Sequence, residues 1–221
     1  ASNNTAVGSS ALGANTTGVN NTALGANSLD ACTTGNNNTA LGINALTTST
    51  TGSQNTAVGR AVLQSTTDAT GNTAIGESAL QANTTGDDNV AVGANALDAN
   101  TTASNNTAVG KDALGANTTA ADNVAVGYKA LLSNTTGSEN TSVGSFSMNL
   151  NTTGLYNSAF GRLALRLNTS GIQNTAVGYQ ALTANTTASN NSAFGYNALV
   201  ANTTGANNVG IGQFSLDANT T

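Results

Sequence analysis

The sequence has no histidine, tryptophan or proline, one cysteine (Cys32), and only five lysine or arginine residues among its 221. Each shortage excludes something. Without histidine the commonest general base and metal ligand is missing. Ser and Thr hydroxyls are abundant but have no imidazole to activate them. One thiol cannot close an intrachain disulfide, so the redox compartment is unreadable. Five scattered cations against ten acids, a net charge of −5, give no basic stripe for nucleic acid. No apolar run approaches the ~18 residues of a membrane span, and nothing resembles a signal peptide. No enzyme, metal or cofactor is expected from this residue set.

What is present is a repeat. The chain is thirteen copies of 17 residues without insertion or deletion. Numbered from the Asn that opens each copy at Asn4, column 1 is always Asn, column 5 always Gly and column 13 always Thr. Column 4 is always apolar, from Val7 and Leu24 to Phe194 and Ile211. Column 9 is Leu except for Met148, and columns 3 and 8 are small. Column 12 is Asn except at Cys32, Ser49 and Thr66. All fifteen charges fall in columns 6, 7, 10, 14, 16 and 17, which must face solvent.

The unit is too short for two helices, and Gly, Asn and Thr are poor helix formers. Thr5-Ala6-Val7 alternates, so columns 2 and 4 share one face of a short strand and column 3 takes the other. The invariant Gly ends that strand, where positive φ or close backbone approach is needed. Ala-Leu at columns 8 and 9 is a second inward anchor, and Asn-Thr-Thr-Gly makes the other turn. The expected fold is all-β, a parallel β-solenoid of thirteen coils spanning 1–221 as a single array. Columns 4 and 9 are expected inside. Column 3, small and outward, would admit a second chain against a core too thin to suffice alone, and a homotrimer is expected.

Asn174 to Leu182 reads Asn-Thr-Ala-Val-Gly-Tyr-Gln-Ala-Leu. With the Asn-Thr-Thr-Gly turns, this phrase resembles the repeat arrays of trimeric autotransporter adhesin heads and of phage tail fibres, over all thirteen units. The resemblance implies a left-handed parallel β-roll, three chains side by side, and a fibre shaft or adhesin at a cell or virion surface. The departure is the period, since adhesin-head coils are commonly shorter.

Candidate sites are few. Ten column-12 residues, Asn15, Asn83, Asn100, Asn117, Asn134, Asn151, Asn168, Asn185, Asn202 and Asn219, open Asn-Thr-Thr or Asn-Thr-Ser and are N-glycosylation acceptors by sequence. The alternative is a ladder of stacked amides bonding along the array. Asn3, Asn20, Asn37, Asn105 and Asn190 add acceptors in column 17. Tyr128, Tyr179 and Tyr196 share column 6, and Phe146 and Phe214 share column 7. Tyr179 and Tyr196, on successive coils, should stack about 5 Å apart and could contact a glycan or receptor, or pack against a neighbouring chain. Asp87 and Asp88, with Asp122 and Glu139 in the column of Asp88, read as a solvated face rather than a Ca²⁺ cage. Cys32 reads as a drifted Asn. Column 13 is similar to the Thr arrays of ice-binding solenoids, but its Thr pair is adjacent rather than separated by one residue.

Neither end is an atypical capping repeat, so the array is expected to continue or to stack end to end. The reading is a non-catalytic, extracellular fibre or adhesin shaft that binds itself, as a homotrimer or an end-to-end filament. A glycan-coated filament and a carbohydrate- or receptor-binding adhesin are the alternatives. No nucleic acid or membrane insertion is expected.

Overall fold

The computed structural model describes residues 1–221. Thirteen three-residue strands, β1 (Thr5–Val7) to β13 (Val209–Ile211), recur every 17 residues, with no helix. The fold is an all-β parallel solenoid. The chain forms two compact units, Ala1–Ala108 and Val109–Thr221. In the first, β1 to β6 (Val90–Val92) pair in parallel and in sequence order, with equivalent residues in register. In the second, β8 (Val124–Val126) to β13 do the same.

One coil shows how the repeat closes. The Ser158 N–H donates to the Asn174 carbonyl at 2.8 Å, and the Gly161 N–H to the Val143 carbonyl at 2.8 Å. Leu165 donates to Ala181 at 2.9 Å and Thr169 to Thr186 at 2.7 Å. The backbone of each coil is thus satisfied by the coils above and below, as a structure with so little interior requires. Two bonds stay within the coil and tighten its turns, Ala164 N–H to Gly161 O and Asn168 N–H to Leu165 O, at 3.2 and 3.3 Å.

Three residues per coil are left-handed, in columns 7, 9 and 17; here they are Leu163, Leu165 and Gln173, at φ 63°, 51° and 57°. A left-handed Leu costs about 1–2 kcal/mol. At column 9 that conformation comes with a fully buried side chain and with both backbone groups of Leu165 paired. Column 5 needs glycine for two reasons. Gly25 sits at φ 136°, and a Cβ there would lie 2.5 Å from the Gly42 carbonyl oxygen on the next coil.

The interior corrects the expected strand phase. Column 3 points in: Ala23, Ala40, Ala57, Ala125, Ala159 and Ala176 are fully buried. Column 9 is buried as expected, together with column 8, in every coil except the first and the last. Column 4 points out, with Val7, Ile75, Phe160 and Phe194 exposed. Alternation assigns columns 2 and 4 to one face without saying which face is inside. Interior volume decides it: beside a Leu and two Asn side chains, the coil has space for Ala but not for a rank of Val and Phe. Coil 140–156 departs most, with Met148 in place of Leu. Ser142 and Ser147 stand there in place of Ala, and the buried Ser142 hydroxyl donates to the Ser147 carbonyl at 2.9 Å.

Candidate functional site: side-chain ladders and an aromatic edge

Two columns of Asn converge on one carbonyl. The Gly171 oxygen accepts from Asn157 Nδ2 at 2.8 Å and from Asn168 Nδ2 at 3.0 Å. The first bond closes the coil across 14 residues, and the second braces its last turn. The same pair serves Gly154, Ala188 and Gly205 in the second unit and Gly86 and Ala103 in the first. Each Asn also reaches the next coil. Asn157 Oδ1 accepts the Asn174 N–H at 3.0 Å, and Asn151 Oδ1 accepts Asn168 Nδ2 at 2.7 Å. Column 13 forms a third ladder, in which the Thr169 hydroxyl donates to the Thr186 carbonyl at 3.0 Å. These bonds account for the invariance of columns 1 and 13 and for the recurrence of Asn in column 12.

The amide ladder, rather than the glycan, is what the geometry of column 12 allows. Asn83, Asn100, Asn117, Asn134, Asn151, Asn168, Asn185 and Asn202 are fully buried, and Asn15 and Asn219 are partly so. A glycan would occupy Nδ2, the atom that donates to the column-15 carbonyl, and has no room in the folded coil. The eight buried residues are therefore structural amides rather than glycan acceptors, and Asn15 donates to the Gly18 oxygen at 3.1 Å in the same way. The column-17 acceptors Asn3, Asn20, Asn37, Asn105 and Asn190 are exposed.

The ladder is interrupted in the first unit. Cys32, Ser49 and Thr66 replace Asn on three successive coils, leaving Asn15 Oδ1 and Ser49 Oγ buried without a partner. Cys32 is fully buried with its Sγ 3.7 Å from the Gly35 oxygen. Burial raises its pKa, and the Gly35 backbone, as a donor toward the sulfur, offsets part of that rise. Its thiol is a packed substitute for an amide, held protonated. Asp87 Oδ1 accepts the Thr70 N–H at 2.7 Å, and Asp88 is exposed at φ 55°. No three His, Cys, Asp or Glu side chains gather into a cluster that could hold a metal ion.

The column-6 tyrosines project from the second unit. Tyr179 and Tyr196 stack at 5.2 Å with a 16° interplanar angle, the separation expected from strand spacing. Tyr196 meets Phe214 edge-on at 5.5 Å, and Tyr128 meets Phe146 edge-on at 5.2 Å. Tyr128 and Tyr196 are exposed and Tyr179 half-buried. Cations accompany them, which sequence reasoning passed over: Lys129 Nζ lies 5.2 Å from the Tyr128 ring centroid, and the Arg162 guanidinium 5.7 Å from that of Tyr179. The signal was available, since Lys111, Lys129, Arg162 and Arg166 all fall in columns 6, 7 and 10.

No protein-family model matches the chain, and no curated protein matches it. No helix is long and apolar enough to cross a membrane.

Proposed function

We propose that the chain is a non-catalytic structural element, the shaft of an extracellular fibre or adhesin, which associates with copies of itself. The observation that carries this reading is the outer face of the strands. Columns 2 and 4 contain only Thr, Ser, Val, Leu, Ile and Phe, and no charged residue stands in any strand. Phe160 and Phe194 are 42% and 41% exposed on that face. A regular, uncharged and largely apolar surface of this kind marks an interaction site. The charges gather instead on the turns. The resemblance to trimeric adhesin heads and tail-fibre arrays supports the same reading, with the contact moved from column 3, which is interior, to columns 2 and 4.

The occupant is a second copy of the chain, because a repeated surface offers an identical surface in matching register. The test is sedimentation of the chain alone and with Phe160→Asp and Phe194→Asp together, circular dichroism verifying the fold. Self-association predicts a parent particle at an integer multiple of 21.6 kDa and a variant at 21.6 kDa. A parent that sediments as a single chain at micromolar concentration contradicts the reading.

A further inference from the structure

A repeated, uncharged strand face does not tell a neighbour which way to run, but its two borders can. Each strand is entered through column 17 and left through columns 6 and 7, so these columns flank the outer face of columns 2 and 4. The borders differ in sign. Column 17 carries Asp88, Asp122 and Glu139 and no cation, whereas columns 6 and 7 carry Arg60, Lys111, Lys129 and Arg162 against Glu77 and Asp112. In the first unit Arg60 is paired with Glu77 on its own border. The second unit keeps its border charges open. Asp122, Glu139 and Arg162 are exposed, Lys129 is half-buried, and none of the four forms an ion pair within the chain.

Direction follows from these borders. When copies stack their coils in the same direction, rotation about an axis along the stack brings the strand faces together with facing strands running oppositely. The column-17 border of one copy then lies beside columns 6 and 7 of the next, acid beside cation. When copies stack in opposite directions, facing strands run the same way and like borders meet, whatever the offset between them. Column 17 then faces column 17, and neither Asp122 nor Glu139 reaches a cation across the face. Opposite potentials brought together fix the orientation of an interface, and like charges brought together oppose it.

We propose that copies associate with their second units stacked in the same direction, the acidic column-17 border of one against the basic border of columns 6 and 7 of the next. The inference rests on the self-association proposed for the strand face and adds its polarity. A closed arrangement about an axis along the stack keeps equivalent coils level. Asp122 then meets Tyr128 and Lys129 of the neighbouring copy beside β8, and Tyr156 meets Arg162 beside β10 (Ser158–Phe160). Glu139 falls between Lys129 and Arg162, one coil to either side. A guanidinium over a tyrosine ring and a lysine beside a carboxylate are both attractive pairs. Exposed ion pairs are individually weak, so the apolar face supplies the affinity and the borders select the direction.

The experiment uses the full chain as two variants, Asp122→Cys and Lys129→Cys, each in a Cys32→Ser background. Each is assembled alone and as an equal mixture refolded together, then treated with a short bis-maleimide. Covalent dimer is expected in the mixture and in neither variant alone. A second pair of chains reads the charges. Asp122→Lys with Glu139→Lys should weaken association at least tenfold at low salt, where exposed charges are least screened. Adding Lys129→Glu and Arg162→Glu to that same chain should restore it. Unchanged circular dichroism establishes that each variant is folded. Crosslinking within either variant alone, no crosslinking in the mixture, or a charge-reversed chain that associates like the parent would overturn the direction and leave self-association standing. A parent that sediments at 21.6 kDa removes self-association itself, and the direction with it.

Discussion

Asn168 donates its side-chain amide to Oδ1 of Asn151, one coil away, at 2.7 Å, and to the Gly171 carbonyl at 3.0 Å. Asn151 stands in the same relation to Asn134 and Gly154. Each rung is therefore held by the one beside it, and none is open to water.

Removing one rung should cost more than one hydrogen bond. Asn151→Ala deletes two donated bonds and one accepted bond and strands Asn134 Oδ1 in a buried site, whereas Asn168 keeps its bond to Gly171. Each buried polar group left unpaired costs about 1–3 kcal/mol, and the Asn140 amide still serves Gly154. The expected loss is roughly 2–4 kcal/mol in urea unfolding. A loss under about 0.5 kcal/mol, the range of a neutral surface change, would contradict the ladder.

Restoring the interrupted rungs should have the opposite sign. Cys32→Asn, Ser49→Asn and Thr66→Asn together give Asn15 Oδ1 a donor and replace the unpaired Ser49 hydroxyl. Relief of two orphaned groups predicts a rise in melting temperature of roughly 5–10 °C for a chain of this size. An unchanged or lower melting temperature would show that these coils have repacked around the smaller side chains.

Cys32 supplies a pH dependence. Burial raises its pKa in the folded chain, so the folded state holds the thiol proton more tightly than the unfolded state does. The associated stability is present below the ordinary thiol range and is lost as pH climbs through the raised value. Parent stability should fall relative to Cys32→Ser above that range, and aromatic disulfide reagents should modify Cys32 only as fast as the chain unfolds. Rapid modification of the native chain would place the thiol at the surface.

The glycines of column 5 differ in a way that substitution can read. Gly25→Ala adds a methyl group against the Gly42 carbonyl at a φ of 136°, whereas at Gly212, φ 111°, nothing lies within 4 Å. Gly212→Ala bears backbone strain alone, about 1–3 kcal/mol. Gly25→Ala adds a steric clash with backbone and should lower stability well beyond that, as compared by chemical denaturation.

Much of this architecture was legible in the sequence for physical reasons. A fixed 17-residue period with invariant Gly8-type and Thr16-type columns could only come from stacked, identical coils, and Tyr179 and Tyr196 in one column had to stack at the strand spacing. What was not legible depended on interior volume. Thr-Ala-Val shows that Thr5 and Val7 share a face but not that Ala6 is the residue small enough to be enclosed. The column-12 Asn residues matched a surface acceptor pattern because a three-residue motif carries no information about burial. Only the fold shows that Asn151 and Asn140 meet at a single carbonyl.

Strand phase is the claim on which the interior, the outer face and the proposed association all depend. Two neighbouring residues of β8 test it, Ala125→Cys and Val126→Cys, each in a Cys32→Ser background. Ser142, in the column of Ala125, shows that the interior accepts one more side-chain atom there. Maleimide labelling is followed on chain diluted until it sediments at the single-chain mass. Reaction at Val126→Cys in the folded chain, with Ala125→Cys protected until unfolding, is the predicted result. Reaction at Ala125→Cys with Val126→Cys protected would put column 4 inside and contradict the account.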